Sequence, residues 1–380
     1  MGPGIYEISK DLDYLQSQGR CTFKAKRSCD VTSKDLSNCD VLFAIRSRSR
    51  LDAELIKIAK RKNKFCILFL DDDFLAIGRD FHKYGKRAWK GRQVALRSAL
   101  QDCGVLLVVN RLLGEKYSEL SGGKRYVVTN TAILHESIVK PIPTENHIKI
   151  VYYVNDGSTT YYDKHLRPLL KLLSEKYKKS ISIYFIALQA DLSEFDGILD
   201  YYIVPHMSMT EFREYMVKNH FHIGLAPLDN EGFARYKYFN KFIEFSLHGI
   251  AGIYSDCDLY KLVIVHNENG LLCNNDVESW LNAINSYIED EDSRLKIAKN
   301  AQRDLIDTFS IDSVMAELTY NIPELTTYTS SGKATFVDMF FAKTLHYLDR
   351  ARERIFYVYA CISDYGLSKT ITIIRERIFK

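Results

Sequence analysis

Short apolar runs separated by amphipathic stretches constrain this 380-residue chain more than any other feature. A strand buried on both faces reads as a continuous apolar run, and the crossover helix beside it carries a 3.6-residue period. Val41–Ile45, Phe65–Leu70 and Val105–Val109 are runs of this kind, with helical patterns beginning near Leu51, Lys86 and Leu112. The segment Lys140-Pro-Ile-Pro-Thr-Glu-Asn has two prolines and no periodicity, and reads as a linker. Alternation then restarts with runs at Ile148–Val154, Ile181–Ile186, Phe221–Leu225 and Ile250–Tyr254. Helical patterns accompany them over 163–177, 239–247, 276–288 and 293–309. The pattern predicts an α/β chain with parallel sheets. The length exceeds what one core usually organises, so two domains are expected, at 1–140 and 147–312, followed by a tail at 313–380. Two such domains place a ligand cleft at the carboxyl ends of the strands.

The chain opens on Met1-Gly-Pro-Gly-Ile-Tyr, a glycine-rich turn entering a helix that runs to about Ser17. In a doubly wound domain that turn follows the first, central strand. Here no strand precedes it. The expectation is that the first strand lies upstream of Met1; a sheet lacking its central strand is the alternative, and it leaves backbone groups unpaired.

Composition narrows the class. Residues of apolar type make up 46% of the chain, enough for two packed cores. The eight cysteines are scattered, with no C-x-x-C pair and no zinc-ligand spacing, which reads as reduced thiols in a cytosolic setting. No run approaches the length needed to cross a bilayer, and the first twenty residues lack the order of a signal peptide. The net charge of +4 lies entirely beyond Gly332, where nine Lys/Arg face five acids. A neutral body with a basic, aromatic-rich tail points to an anionic membrane surface rather than to nucleic acid.

The richest chemistry lies in His222-Ile-Gly-Leu-Ala-Pro-Leu through His248-Gly249. A buried strand ends in a proline turn, and a loop bearing Arg235 and Lys237 leads into a helix bearing Lys241 and Glu244. Lys241 and Glu244, three apart, share a helix face. A diphosphate needs fixed cations near a helix start, and a ribose needs an acceptor for two hydroxyls. One carboxylate among cations supplies both. An i, i+3 ion pair on a solvated helix face is the plainer reading of K-x-x-E, and the position after a strand terminus weighs against it.

This stretch resembles the donor-binding region of retaining glycosyltransferases of the GT-B fold, the group that builds bacterial surface polysaccharides. The matching positions are Ala226-Pro227-Leu228, Lys237, Lys241, Glu244-Phe245 and Gly249. Downstream, Val263 to Leu272 with its Asn-Gly-Leu-Leu, and Ser279-Trp-Leu-Asn-Ala-Ile, are similar to the family's following loop and helix. Upstream, Asp156-Gly157-Ser158 with Asp163 is similar to its glycine-serine turn. Two positions depart: Lys237 stands where the family often has a first glutamate, and Tyr161 or Tyr162 replaces the histidine of the turn. The resemblance covers residues 148 to 310 well and the first domain weakly. It implies two Rossmann-like domains facing a cleft, a UDP-sugar donor as substrate, no cofactor and no metal. It further implies that Glu244 grips the ribose, that Lys241 and Arg235 neutralise the departing diphosphate, and that Lys237, Asn240, Gly157 and Ser158 line the donor site. No base for the acceptor hydroxyl is assigned.

In the first domain Asp71-Asp72-Asp73 ends an apolar run. The cluster admits a divalent metal, an N-cap, or an acceptor-facing role for Asp72 and Asp73. Arg46 follows another run and could meet a phosphate of a lipid-linked acceptor or sit in a solvated turn; His82 reads as a surface residue. In the tail, Phe341, Leu345, Leu348, Ile355 and Val358 recur at helical spacing, and Ile371, Ile373, Ile374 and Ile378 form a second set. A helix packing back on the first domain and a membrane-surface helix both fit this pattern. The expected activity is hexosyl transfer from a nucleotide sugar to a lipid-linked glycan at the cytoplasmic membrane face. The alternatives are a catalytically silent scaffold of a polysaccharide-assembly complex and a nucleotide-sugar epimerase.

Overall fold

The computed structural model describes residues 3–76, 86–133, 138–144, 147–154 and 159–378. The chain runs α1 (Pro3–Ser17), α2 (Ser33–Asn38), β1 (Val41–Ile45), α3 (Arg50–Arg61), β2 (Phe65–Leu70), α4 (Lys86–Asp102), β3 (Val105–Val108), α5 (Arg111–Leu120) and β4 (Tyr126–Val128). It continues through β5 (Ile148–Tyr153), α6 (Arg167–Tyr177), β6 (Ile181–Ile186), β7 (Asp200–Val204), α7 (Met209–Asn219), β8 (Ile223–Ala226), α8 (Asn240–Leu247), β9 (Ala251–Ser255) and β10 (Leu271–Cys273). Helices α9 (Val277–Glu289), α10 (Glu291–Phe309), α11 (Ile311–Asn321), α12 (Glu324–Thr327) and α13 (Phe336–Ile378) complete it.

These elements form two compact units. One comprises residues 1–132 with 314–380, the other residues 133–313. In the first unit the parallel sheet has the order β1-β2-β3-β4. Strand β3 is buried throughout, as a sheet covered on both faces requires, whereas β1 is an edge strand and every one of its residues is only half-buried. Among the described residues this order never reverses.

The second unit holds a six-stranded sheet in the order β10-β9-β8-β5-β6-β7, parallel at every pairing. Chain order reverses between β5 and β8, which is where α/β sheets bind ligands beyond their carboxyl ends. Two apolar layers fill its faces. Trp280, Phe185 and Leu169 belong to one, and Phe242, Phe245 and Leu305 to the other.

The division between units differs from the expected linker. The boundary falls after Ala132, and the proline segment is tied into the second unit. The Val139 amide donates to Leu247 O at 2.7 Å, and the Thr144 amide donates to the Glu291 carboxylate at 2.6 Å. Those bonds satisfy backbone groups of residues 138–144 that no regular element pairs.

The tail likewise belongs to the first unit. Ala334, Met339 and Ala342 pack with Leu36, Leu51, Leu55 and Ile58 into one core. Asp338 meets Lys62 at 3.1 Å, and Asp349 meets Arg50 at 3.3 Å. Of the apolar residues at helical spacing in the tail, Phe341, Leu348 and Ile355 are exposed, and Leu345 and Val358 are half-buried.

Candidate active site

The switch point of the second sheet brings together the end of β5, the end of β8 and the start of α8. The turn after β8 is held from two sides. Leu228 N donates to Ser255 Oγ at 2.8 Å, Ser255 Oγ donates to Asn275 Oδ1 at 2.6 Å, and Asn275 Nδ2 returns to Leu228 O at 2.9 Å. This ring of hydrogen bonds fixes Pro227-Leu228 against β9 and the approach to α9. Behind it, Gly249 ends α8 at φ +67°, and a Cβ there would lie 2.6 Å from Pro141 N and Val139 O. Only glycine meets both demands.

Lys241 and Glu244 share α8 but do not pair with each other, contrary to the plainer reading of K-x-x-E. The Lys241 ammonium donates to the carbonyl of Tyr153, the last residue of β5, and lies 4.0 Å from the centre of the Tyr153 ring and 5.0 Å from that of Tyr152. Burial, with the positive charge of Lys237 adding to it, lowers its pKa to about 7. Phe239, at the N-cap of α8, makes no side-chain hydrogen bond, so no side chain caps the helix start below Lys241.

Glu244 is 7% exposed. Its Oε1 accepts from Arg213 Nη2 of α7 at 2.9 Å, while its Oε2 is buried without a hydrogen-bond partner. His248, one turn on, donates from Nδ1 to the Glu244 backbone carbonyl at 2.7 Å and stands 3.9 Å from Oε2. Burial lowers the His248 pKa, which keeps the imidazole neutral, and its hydrogen bonds to the Glu244 and Arg213 backbones oppose that shift. The Tyr153 hydroxyl is also buried without a partner; burial, then the nearby Glu244 charge, suppresses its ionisation. An unpaired carboxylate oxygen in such a place costs free energy unless something donates to it.

No family model and no characterised protein matches the chain in sequence. Solved structures do match in shape. HepE of Anabaena, determined in complex with UDP and glucose, aligns with a TM-score of 0.55 at 13% identity, over 77% of this chain and 80% of its own. A glycosyltransferase from Rickettsia africae aligns with a TM-score of 0.57 at 13% identity, over 83% of this chain and 88% of its own. The lipopolysaccharide outer core galactosyltransferase WaaB gives 0.51 at 14% identity, over 77% and 78%. The fold is GT-B. At such identities the likeness is one of fold, and the chemistry rests on this chain's own residues.

Within the GT-B framework the remaining candidates separate. Lys237 lies 5.5 Å from the Phe233 ring centre, and Asn240 is exposed at the first position of α8. Arg235 is engaged by Asp258 at 2.7 Å, so a phosphate would have to compete with that carboxylate. Gly157 and Ser158 lie outside the described residues, as do Asp156 and His82. Tyr162 is fully buried in the core, edge-on to Phe185, and Tyr161 stacks on His165. Three groups at this site escaped the sequence. They are Arg213, His248, and the pairing of Asp229 with Lys164 at 2.8 Å and His165 at 3.0 Å. Asp229 follows the proline turn directly, a signal that was readable. Arg213 carried none.

In the first unit the acidic cluster is largely committed to structure. Arg46, in a left-handed conformation at φ 50°, forms a two-pronged ion pair with Asp71. Asp73 is fully buried, where it accepts from Lys116 at 2.5 Å and from the Tyr117 hydroxyl at 3.1 Å. That corrects the acceptor-facing expectation for Asp73: its carboxylate is spent on folding. Asp72 is half-buried and stays at the end of β2. Among the described residues no group of three or more His, Cys, Asp or Glu is placed to hold a metal ion.

Proposed function

We propose that the protein transfers a hexosyl group from a UDP-sugar, with retention of anomeric configuration and without a metal, to a lipid-linked glycan at the cytoplasmic face of a membrane. The observation that carries this reading is Glu244, buried at the switch point with one carboxylate oxygen held by Arg213 and the other unpaired. A ribose diol supplies the hydrogen bonds that this oxygen lacks. Lys241, at the uncapped start of the same helix, turns from the Tyr153 carbonyl to the diphosphate in this reading, and its attraction for the leaving group is the largest catalytic contribution expected of the site. Arg235 joins it once drawn from Asp258. The UDP complex of HepE supports the choice of nucleotide.

The test is a thermal-shift screen of the purified chain against UDP, GDP and their sugars, followed by transfer or donor hydrolysis with the best binder. UDP-sugars should raise the melting temperature, and Glu244→Ala should abolish that rise. A rise of equal size in Glu244→Ala removes the site assignment. One observation favours a second reading: the core placement of Tyr162, in a turn where the family carries a polar histidine, fits a subunit that binds donor without using it. UDP binding with neither transfer nor hydrolysis would decide for that scaffold.

A further inference from the structure

Helix α13 carries a surface that neither core of the protein explains. It is 43 residues long, broken only by the non-helical Gly366 at φ +74°. One side of it is used. Met339 and Ala342 are buried against α3, and the acids on that side, Asp338 and Asp349, are paired with Lys62 and Arg50. The opposite side is apolar and open: Phe336 is 75% exposed, Phe340 55%, Phe341 62%, Tyr347 66%, Ile355 67% and Tyr359 73%.

At 3.6 residues per turn and 1.5 Å per residue these six side chains fall within an arc of about 140°, and the stripe runs about 35 Å along the axis. Lys343, Arg350 and Arg354 fall along one border of the same arc, while the acids fall on the back. Large aromatic groups and cations share one face, and the carboxylates are turned away from it. No described helix is long and apolar enough to cross a membrane. Where such a helix meets a membrane, it lies in the plane of the interface rather than across it.

We propose that the solvent face of α13, over residues 336–362, is a docking surface for an anionic lipid bilayer. The aromatic and aliphatic side chains enter the boundary between headgroups and acyl chains, and Lys343, Arg350 and Arg354 meet lipid phosphates. Charge decides for lipid over a second copy of the chain, since an isologous pairing of two such faces sets their cationic borders near one another, whereas an anionic bilayer complements them. This gives the membrane placement proposed above a structural location. It is independent of the donor chemistry, so the two can fail separately.

Flotation of the full chain with vesicles tests it. The chain should float with phosphatidylcholine–phosphatidylglycerol vesicles and much less with phosphatidylcholine alone, and added salt should weaken binding. The triple substitution Phe340→Ser, Tyr347→Ser and Ile355→Ser should lower the bound fraction about tenfold. Its melting temperature should be unchanged, because none of the three side chains is in a core. Arg350→Glu with Arg354→Glu should remove the preference for phosphatidylglycerol. The proposal is overturned by a wild-type chain that fails to float, or by a triple variant that floats as well. It is equally overturned by a wild-type dimer in sedimentation that the triple variant converts to monomer. A UDP thermal shift measured in parallel reports on the second unit alone.

Discussion

Lys241 is the residue whose state most affects the proposed donor site. Its pKa of about 7 reflects burial first and Lys237 second. A bound diphosphate raises that value. Between the free and bound pKa values the complex therefore carries a proton that the free protein lacks, and affinity falls as pH rises above 7, by up to about tenfold per pH unit. Calorimetry of UDP binding near pH 8, in buffers of different ionisation enthalpy, should show proton uptake, and Lys241→Arg should remove it. The same shift acts on folding with the opposite appearance. The unfolded chain binds the extra proton between about 7 and the ordinary lysine value of 10.5, so this group's contribution to stability rises with pH across that window. Arg213 acts at one remove, by holding Glu244 in place. Its side chain is 40% exposed, which limits the hydrogen bond to about 1 kcal/mol, so Arg213→Ala should weaken UDP binding roughly fivefold and Arg213→Lys should recover part of that. An unaltered affinity in Arg213→Ala would mean Glu244 needs no such support.

At the scale of elements, α8 and the strands beside it hold the site through contacts that tolerate little. Gly249→Ala forces a left-handed residue to carry a Cβ and drives that atom into the backbone at Val139 and Pro141. The expected cost is about 2 kcal/mol or more, read as a lower melting temperature, with UDP affinity at low temperature reduced less. These elements also show what a sequence can convey. Strands β2 and β6 end where their runs end; β2 carries no polar residue to blur it, and in β6 the one serine, Ser182, is buried with its neighbours. Strand β7, Asp-Tyr-Tyr-Ile-Val, went unread because it is an edge strand whose residues are half-buried or exposed, and β4 because three residues make no pattern. The helix of Lys241 and Glu244 was legible from spacing alone. Its partners were not: Arg213 meets Glu244 across 31 positions, and contacts at that separation leave no local period. The α13 stripe was visible as apolar spacing, yet which face it offered the core depended on α3.

For the whole molecule, the two units differ in how the chain builds them. Residues 133–313 form one uninterrupted stretch that contains every member of both of its apolar layers. The first unit is discontinuous, since Leu36, Leu51, Leu55 and Ile58 complete their core with Ala334, Met339 and Ala342 from the far end of the chain. A stretch that carries its own cores and an ordinary domain size has what it needs to fold alone. Residues 133–313 expressed by themselves should therefore melt cooperatively and keep the UDP thermal shift. At about a hundredfold excess over Kd, ligand should add roughly 2.7 kcal/mol to their stability. Residues 1–132 by themselves should expose the face of α3 that Met339 covers, and should show no cooperative transition until 314–380 is supplied in trans. A fragment 133–313 that melts without cooperativity would show that the second unit depends on the first for its fold. One that folds but gives no shift with UDP would place part of the nucleotide's binding energy outside the switch point of the second sheet.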